Sequence, residues 1–250
     1  MKNTKHYIFL SIVVLSATIS MGVNYLYPTD SPEILSTRFN PKKVNISLFW
    51  KNSKGEIYKN IEGLKSDLDG QKNQLKFSMN AGMFDEKLQP TGLYVENGKK
   101  IKPLNTKVIK PIKGKFIPNF YLQPNGVFYI TTDKNAGICK TADFPKKNKI
   151  KFATQSGPML LIDGKINKLF SSNSTNYNIR NGVGILPNNE VVFAISKNEV
   201  NFYDFAKYFK ELGCSNALYL DGFVSKAFIP EQGIRQMNGQ LGVLIGVTEK

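Results

Sequence analysis

From residue 44 onward, short apolar runs alternate with turn-forming pairs, and this punctuation limits the fold more than any other feature of the chain. Val44–Lys51 (VNISLFWK) alternates apolar and polar residues, as a half-buried strand does. Leu75–Met79 is a second run, and Gly92–Glu96 leads into Asn97-Gly98, a strong hairpin signal. Asn125-Gly126 is another such pair, followed by VFYIT at 127–131. Met159–Ile162 and Lys165-Ile166 flank Asp163-Gly164. Gly182–Leu186 and Val191–Ser196 flank Pro187-Asn188-Asn189. Ala217–Leu220 and Leu241–Val247 complete the strands. Only two stretches carry helical spacing. Ile57–Leu68 places Ile57, Ile61, Leu64 and Leu68 on one face before Gly70, and Phe202–Leu212 ends at Gly213. Two helices that do not alternate regularly with many short strands predict an α+β fold, a single domain over residues 44–250.

Ahead of that domain, Lys2, Lys5 and His6 precede Tyr7–Val23 (YIFLSIVVLSATISMGV), a run without a charge. Small residues close it, notably Thr18, Ser20 and Gly22. A basic start, an apolar run and small residues describe a secretory signal over 1–23. Extended to Leu26, the run approaches the length of a membrane anchor, so both readings stay open. A buried core helix fits worst, because the run has no polar face. Residues 24–43 hold Pro28, Pro32 and Pro41 among polar residues and are expected to be a tether. The protein is therefore expected to be exported, periplasmic or secreted, with membrane contact only through this N-terminal segment.

Hydrophobic content of 41% and aromatic content of 12% suit a buried core and exclude disorder. The net charge of +15 comes from lysines spread along the chain, without an arginine-rich helix, a zinc finger or an RNA-binding signature. A solvated exterior that attracts anionic, phosphate-bearing substrates is expected, and no nucleic-acid partner. Cys139 and Cys214 remain after the export segment; a disulfide and two buried thiols are equally open. The single histidine is His6. The domain has no imidazole, which excludes Ser-His-Asp and Cys-His nucleophile systems and His-ligated zinc or iron. Acid-base work falls to carboxylates, Tyr, Lys, or water on a hard metal ion.

Five stretches beside predicted strands are rich in Gly, Asn, Ser and Asp: Asn80–Asp85, Pro118–Tyr121, Gln155–Met159, Arg180–Gly184 and Tyr219–Ser225. Such loops commonly carry sites, although each taken alone is also an ordinary turn. Together they supply a cation, two carboxylates and several amide and hydroxyl groups. Four motifs resemble, in order and spacing, those of the phosphodiester glycosidase family. They are Asn80, Gly82 and Phe84; Gly157-Pro158; Arg180 leading to Gly184; and Leu220-Asp221-Gly222 with Ser225. The resemblance spans about Val44 to Val247. It departs where Phe223 and Val224 replace a run of glycines, which points to a bacterial branch with its own substrate.

The resemblance implies a hydrolase acting on a sugar-1-phosphodiester or phosphorylated glycan in the cell envelope. Asp221 is then the first candidate catalytic carboxylate and Asp85 the second, and Arg180 is expected to clamp phosphate with its planar fork. Asn80, Phe84, Asn119, Gln155, Ser156, Gly157, Gly184, Gly222 and Ser225 are the expected substrate-binding set. Asp221, Asp85 and Asn80 also offer hard oxygen ligands for a calcium or magnesium ion. A phosphodiester leaving group is a weak base, so charge stabilisation can do much of a general acid's work. Two other functions compete. One is a non-catalytic glycan-binding protein built on aromatics such as Phe84, Tyr121, Tyr177 and Phe223. The other is a metal-assisted phosphodiesterase.

Overall fold

Asn60 and Asn201 start the two helices of the computed structural model, each by accepting a backbone amide with its side-chain oxygen: Gly63 N at 2.8 Å and Asp204 N at 2.8 Å. The structure describes residues 32–112, 114–145, 149–221 and 224–249. The export segment, Gly222 and Phe223 lie outside them.

In chain order the elements are β1 (Ile34–Phe39), β2 (Asn45–Phe49), α1 (Ile61–Gly70), β3 (Gln74–Asn80), β4 (Tyr94–Glu96) and β5 (Lys99–Lys102). Then follow β6 (Gly126–Thr131), β7 (Ala136–Lys140), β8 (Ile150–Ser156), β9 (Met159–Ile162), β10 (Lys165–Ile166), β11 (Asn181–Ile185) and β12 (Val191–Ser196). The last are α2 (Phe202–Glu211), β13 (Asn216–Tyr219), β14 (Ala227–Ile229), β15 (Ile234–Arg235) and β16 (Leu244–Glu249). The strands make three antiparallel sheets. The first has the order β1-β12-β11-β13-β9-β10, the second β15-β14-β3-β16-β2, and the third β5-β4-β8-β6-β7. The fold is α+β, as the strand punctuation predicts.

Phe193 joins the three sheets. From β12 it stacks on Phe77 of β3 at 5.1 Å between ring centroids and meets Phe128 of β6 edge-on at 6.0 Å. Trp50, Tyr94, Leu218 and Ile245 belong to the same central cluster. Helix α2 covers the other face of the first sheet, where Phe205 and Phe209 pack with Leu160 and Ala217. Helix α1 covers the second sheet through Leu64 and Leu68, against Leu75 and Phe228.

Three expectations need correcting. The expected tether contains a strand: β1 pairs along its whole length with β12, Ile34 opposite Ser196 and Phe39 opposite Val191. Helix α1 starts at Ile61, because Asn60 caps there while Ile57 bridges back to Lys51. Asn125-Gly126 is no hairpin turn. Asn125 is buried, donates from Nδ2 to Phe120 O at 2.9 Å, and leads straight into β6. The pairs at 97–98 and 163–164 do turn tightly, with φ of 49° and 79° at the first and 49° and 73° at the second. Cys139 and Cys214 are free thiols. Burial pushes each thiol up to about 11, which leaves both protonated at neutral pH.

Candidate active site

Polar side chains at the ends of strands from all three sheets meet in one place. Asn80 ends β3, Ser156 ends β8, and Asn181 opens β11; each is fully buried. Asn80 is the junction. It donates from Nδ2 to Asp221 O at 2.5 Å. Its Oδ1 accepts from Asn181 Nδ2 and from Lys226 N, both at 2.8 Å. Asp221 N in turn donates to Ala81 O at 3.1 Å. Gly82 then runs against β8, where a Cβ would stand 2.2 Å from Thr154 Oγ1, so only glycine allows this approach. The chain from Asn80 to Gly82 is thus wedged between the Asp221 turn and β8. It holds the Asp221 turn in place through these bonds.

Tyr219 interacts with both Arg180 and Asp221. Gly182 of β11 is registered opposite Tyr219 of β13, and Leu220 N donates to Asn181 O at 3.1 Å. Strand β13 ends at Tyr219, and Asp221 N then turns to Ala81 O, just past β3. At Tyr219 the guanidinium favours the ionised form and the carboxylate opposes it. Burial dominates and pushes the phenol up to about 12, so Tyr219 keeps its proton at neutral pH. Arg180 is only 1% exposed. Its guanidinium lies 3.6 Å above the Phe202 ring. Burial lowers its pKa, while Tyr219 works in the opposite direction. Ser225 adjoins Arg180, with Oγ 3.4 Å from Ile179 O. On the other flank, Tyr219 N donates to Pro158 O at 3.1 Å, which brings Ser156 and Gly157 alongside. Ser156 Oγ and Asn181 Oδ1 are buried and have no hydrogen-bond partner among the described residues. Such atoms cost about 1–3 kcal/mol each until a polar group reaches them.

The expected site thus separates into two parts. Asn80, Ser156, Gly157, Arg180, Asp221 and Ser225 come together. Asn119 stands near them, since the adjoining Phe120 carbonyl lies against Gly157. Other residues take structural places. Asp85 Oδ1 accepts from Lys87 N and Gln89 N, both at 2.9 Å, and closes its own exposed turn. Gln155 uses every polar site it has. Its Oε1 accepts from Leu93 N and Asn105 N, and its Nε2 donates to Asn105 O and Thr141 Oγ1. Gly184 lies beneath helix α2, where a Cβ would come 2.7 Å from both Cys214 Sγ and Phe209, so no substrate can reach it. Phe84 packs on Gly242.

The Arg180 clamp also changes. Nε donates to Val200 O at 2.7 Å and Nη2 to Asn176 O at 2.8 Å, so the two-pronged edge needed for bidentate phosphate binding is committed to protein oxygens. Its charge bears on the Tyr219 phenol. In the expected metal set of Asp221, Asp85 and Asn80, Asn80 Oδ1 and Asp85 Oδ1 each already accept two N–H groups. No other cluster of metal-ligating side chains occurs among the described residues. Tyr219 was missed from sequence; it ends β13 two residues before Asp221.

A sequence profile described as phosphodiester glycosidase matches residues 73–243. The chain belongs to the phosphodiester glycosidase family. It is 37% identical over 212 residues to the uncharacterized protein YigE of Escherichia coli, a match covering 84% of this chain and 80% of that one. Its fold is similar to that of the catalytic domain of zebrafish N-acetylglucosamine-1-phosphodiester alpha-N-acetylglucosaminidase, a structure auto-inhibited by its pro-peptide. The TM-score is 0.59 at 14% identity, over 89% of this chain and 85% of that chain. At that identity the likeness speaks for the fold alone. The family membership supports hydrolysis of phosphodiester-linked glycans.

Proposed function

We propose that this protein hydrolyses the glycosidic C–O bond of a sugar-1-phosphodiester in the cell envelope. The observation that carries the reading is Tyr219 interacting with both the Arg180 guanidinium and the Asp221 carboxylate, beside the meeting of three sheet ends. Water adds to the anomeric carbon as the bond to the phosphate oxygen breaks. Asp221 stabilises the oxocarbenium-like centre and assists the water, whose proton it takes up. The departing phosphomonoester carries the developing negative charge. Tyr219, which keeps its proton, donates a hydrogen bond toward that charge, and the buried Arg180 guanidinium behind it strengthens the donor. Envelope placement rests on the charge-free segment Tyr7–Val23.

Product identification tests this directly. The purified protein, given a sugar-1-phosphodiester, is expected to release free sugar and a phosphomonoester. Sugar phosphate and free alcohol would instead show cleavage at phosphorus. Asp221→Asn is expected to lower kcat by at least about 10²-fold. Tyr219→Phe, which keeps the ring and removes the donor, is expected to cost roughly 10–10²-fold, mainly in kcat. Full activity in Asp221→Asn would remove the catalytic assignment.

A further inference from the structure

The segment that returns to the candidate site at Phe120 is built unlike the rest of the surface. Although lysine is spread through the sequence as a whole, residues 97–132 contain seven lysines and no Asp or Glu. Of the six large apolar side chains exposed among the described residues, four lie in this stretch: Ile101, Val108, Ile112 and Phe116. Phe116 is 84% exposed and Val108 64%. Lys107, Lys110 and Lys115 are exposed between them. The loop is anchored at both ends. Gln155 holds the backbone of Asn105 at one end, and Phe120, 3% exposed, is buried at the other. Its tip turns at Gly114, with φ of 79° and Lys115 N donating to Ile112 O at 3.0 Å, and so sets Ile112 and Phe116 on either side of the turn.

We propose that the described residues of this loop, 107–112 and 114–117, dock on an anionic lipid bilayer. Lysines beside a membrane are attracted by acidic headgroups, and apolar side chains set among them bury at the headgroup–acyl boundary. Charge alone would serve a soluble polyanion equally well. The exposed phenylalanine and branched aliphatics are the deciding feature, because a polyanion gains nothing from them and exposing them to water is costly. The chain leaves the loop at Phe120, against Gly157, so docking holds the candidate site close to the headgroups.

Trp50 is the sole native tryptophan and is buried, which leaves an added tryptophan as a clear reporter. The full-length Phe116→Trp protein is mixed with vesicles of brominated phosphatidylglycerol or brominated phosphatidylcholine. Leu169→Trp, at an exposed site elsewhere, is the control. The expected result is a blue shift and strong quenching for Phe116→Trp on phosphatidylglycerol, several-fold weaker on phosphatidylcholine, and little change for Leu169→Trp. Adding Lys107→Glu, Lys110→Glu and Lys115→Glu to the reporter should reduce its vesicle affinity about tenfold or more. Equal quenching of both reporters, or none of either, overturns the proposal. So does a blue shift with a soluble sulfated polysaccharide that matches the vesicle response, which would assign the loop to polyanions.

Discussion

Gln155 and Asn80 show how much of this candidate site is structural support. Gln155 bonds both sides of the 93–105 connection, and truncating it strands the amides of Leu93 and Asn105 in a buried place. Gln155→Ala is therefore expected to destabilise the protein by roughly 2–4 kcal/mol in urea denaturation, since each stranded buried group costs about 1–3 kcal/mol. A loss below about 0.5 kcal/mol would mean that water readily replaces these bonds. Glu96 offers a pH-dependent test. Burial raises its carboxyl pKa from 4.5, and the hydrogen bond from Tyr94 only partly opposes this. A carboxyl raised on folding contributes stability below its unfolded pKa and loses it as pH climbs through the folded value. Glu96→Gln, fixed in the neutral form, should therefore gain on the wild type as pH rises from 4.5 towards 7. A stability difference that stays constant across that window contradicts the burial cause. Asp221 was legible as a carboxylate after an apolar strand. The satisfaction of Gln155 was not, because its four partners come from residues 93, 105 and 141, which no local pattern connects to it.

The two helices and most strands were legible because their periods and stop signals are local. Helix α2 has its cap at Asn201 and its stop at Gly213, where φ is 84°. The pair Asn125-Gly126 misled because it has the composition of a hairpin turn, whereas a buried carboxamide bond to Phe120 O sets its conformation. Strand β1 was hidden by flanking prolines and is ordered by partnership with β12, a contact over 150 residues away in sequence. Gly184 likewise resembled a ligand-approach glycine, yet it is where helix α2 presses on the first sheet. Gly184→Ala would set its new methyl 2.7 Å from both Phe209 and Cys214. Overpacking of this kind costs about 1–3 kcal/mol, so a comparable drop in unfolding free energy is expected, with KM nearly unchanged. A stable variant that loses substrate affinity would return Gly184 to the binding site.

At the scale of the whole molecule, three antiparallel sheets meet through Phe193 and bring the ends of β3, β8, β11 and β13 to one place. That convergence was beyond the sequence, which marks where strands end without saying which ends adjoin. The charge is a whole-molecule property as well, and it was legible: a net +15 surrounds a site for an anionic substrate. Such a field raises the encounter rate of anions and weakens as salt shortens its reach, from about 30 Å at 0.01 M to about 8 Å at 0.15 M. For a soluble sugar phosphodiester, kcat/KM is therefore expected to fall several-fold across that range. The value of kcat at saturation should change little, because the buried Arg180–Tyr219 pair is shielded from salt and acts after binding. A neutral aryl glycoside of the same sugar, measured in parallel, should show no comparable fall. If both substrates respond alike, salt is acting on the protein's conformation, and steering by the lysine-rich exterior contributes nothing to turnover.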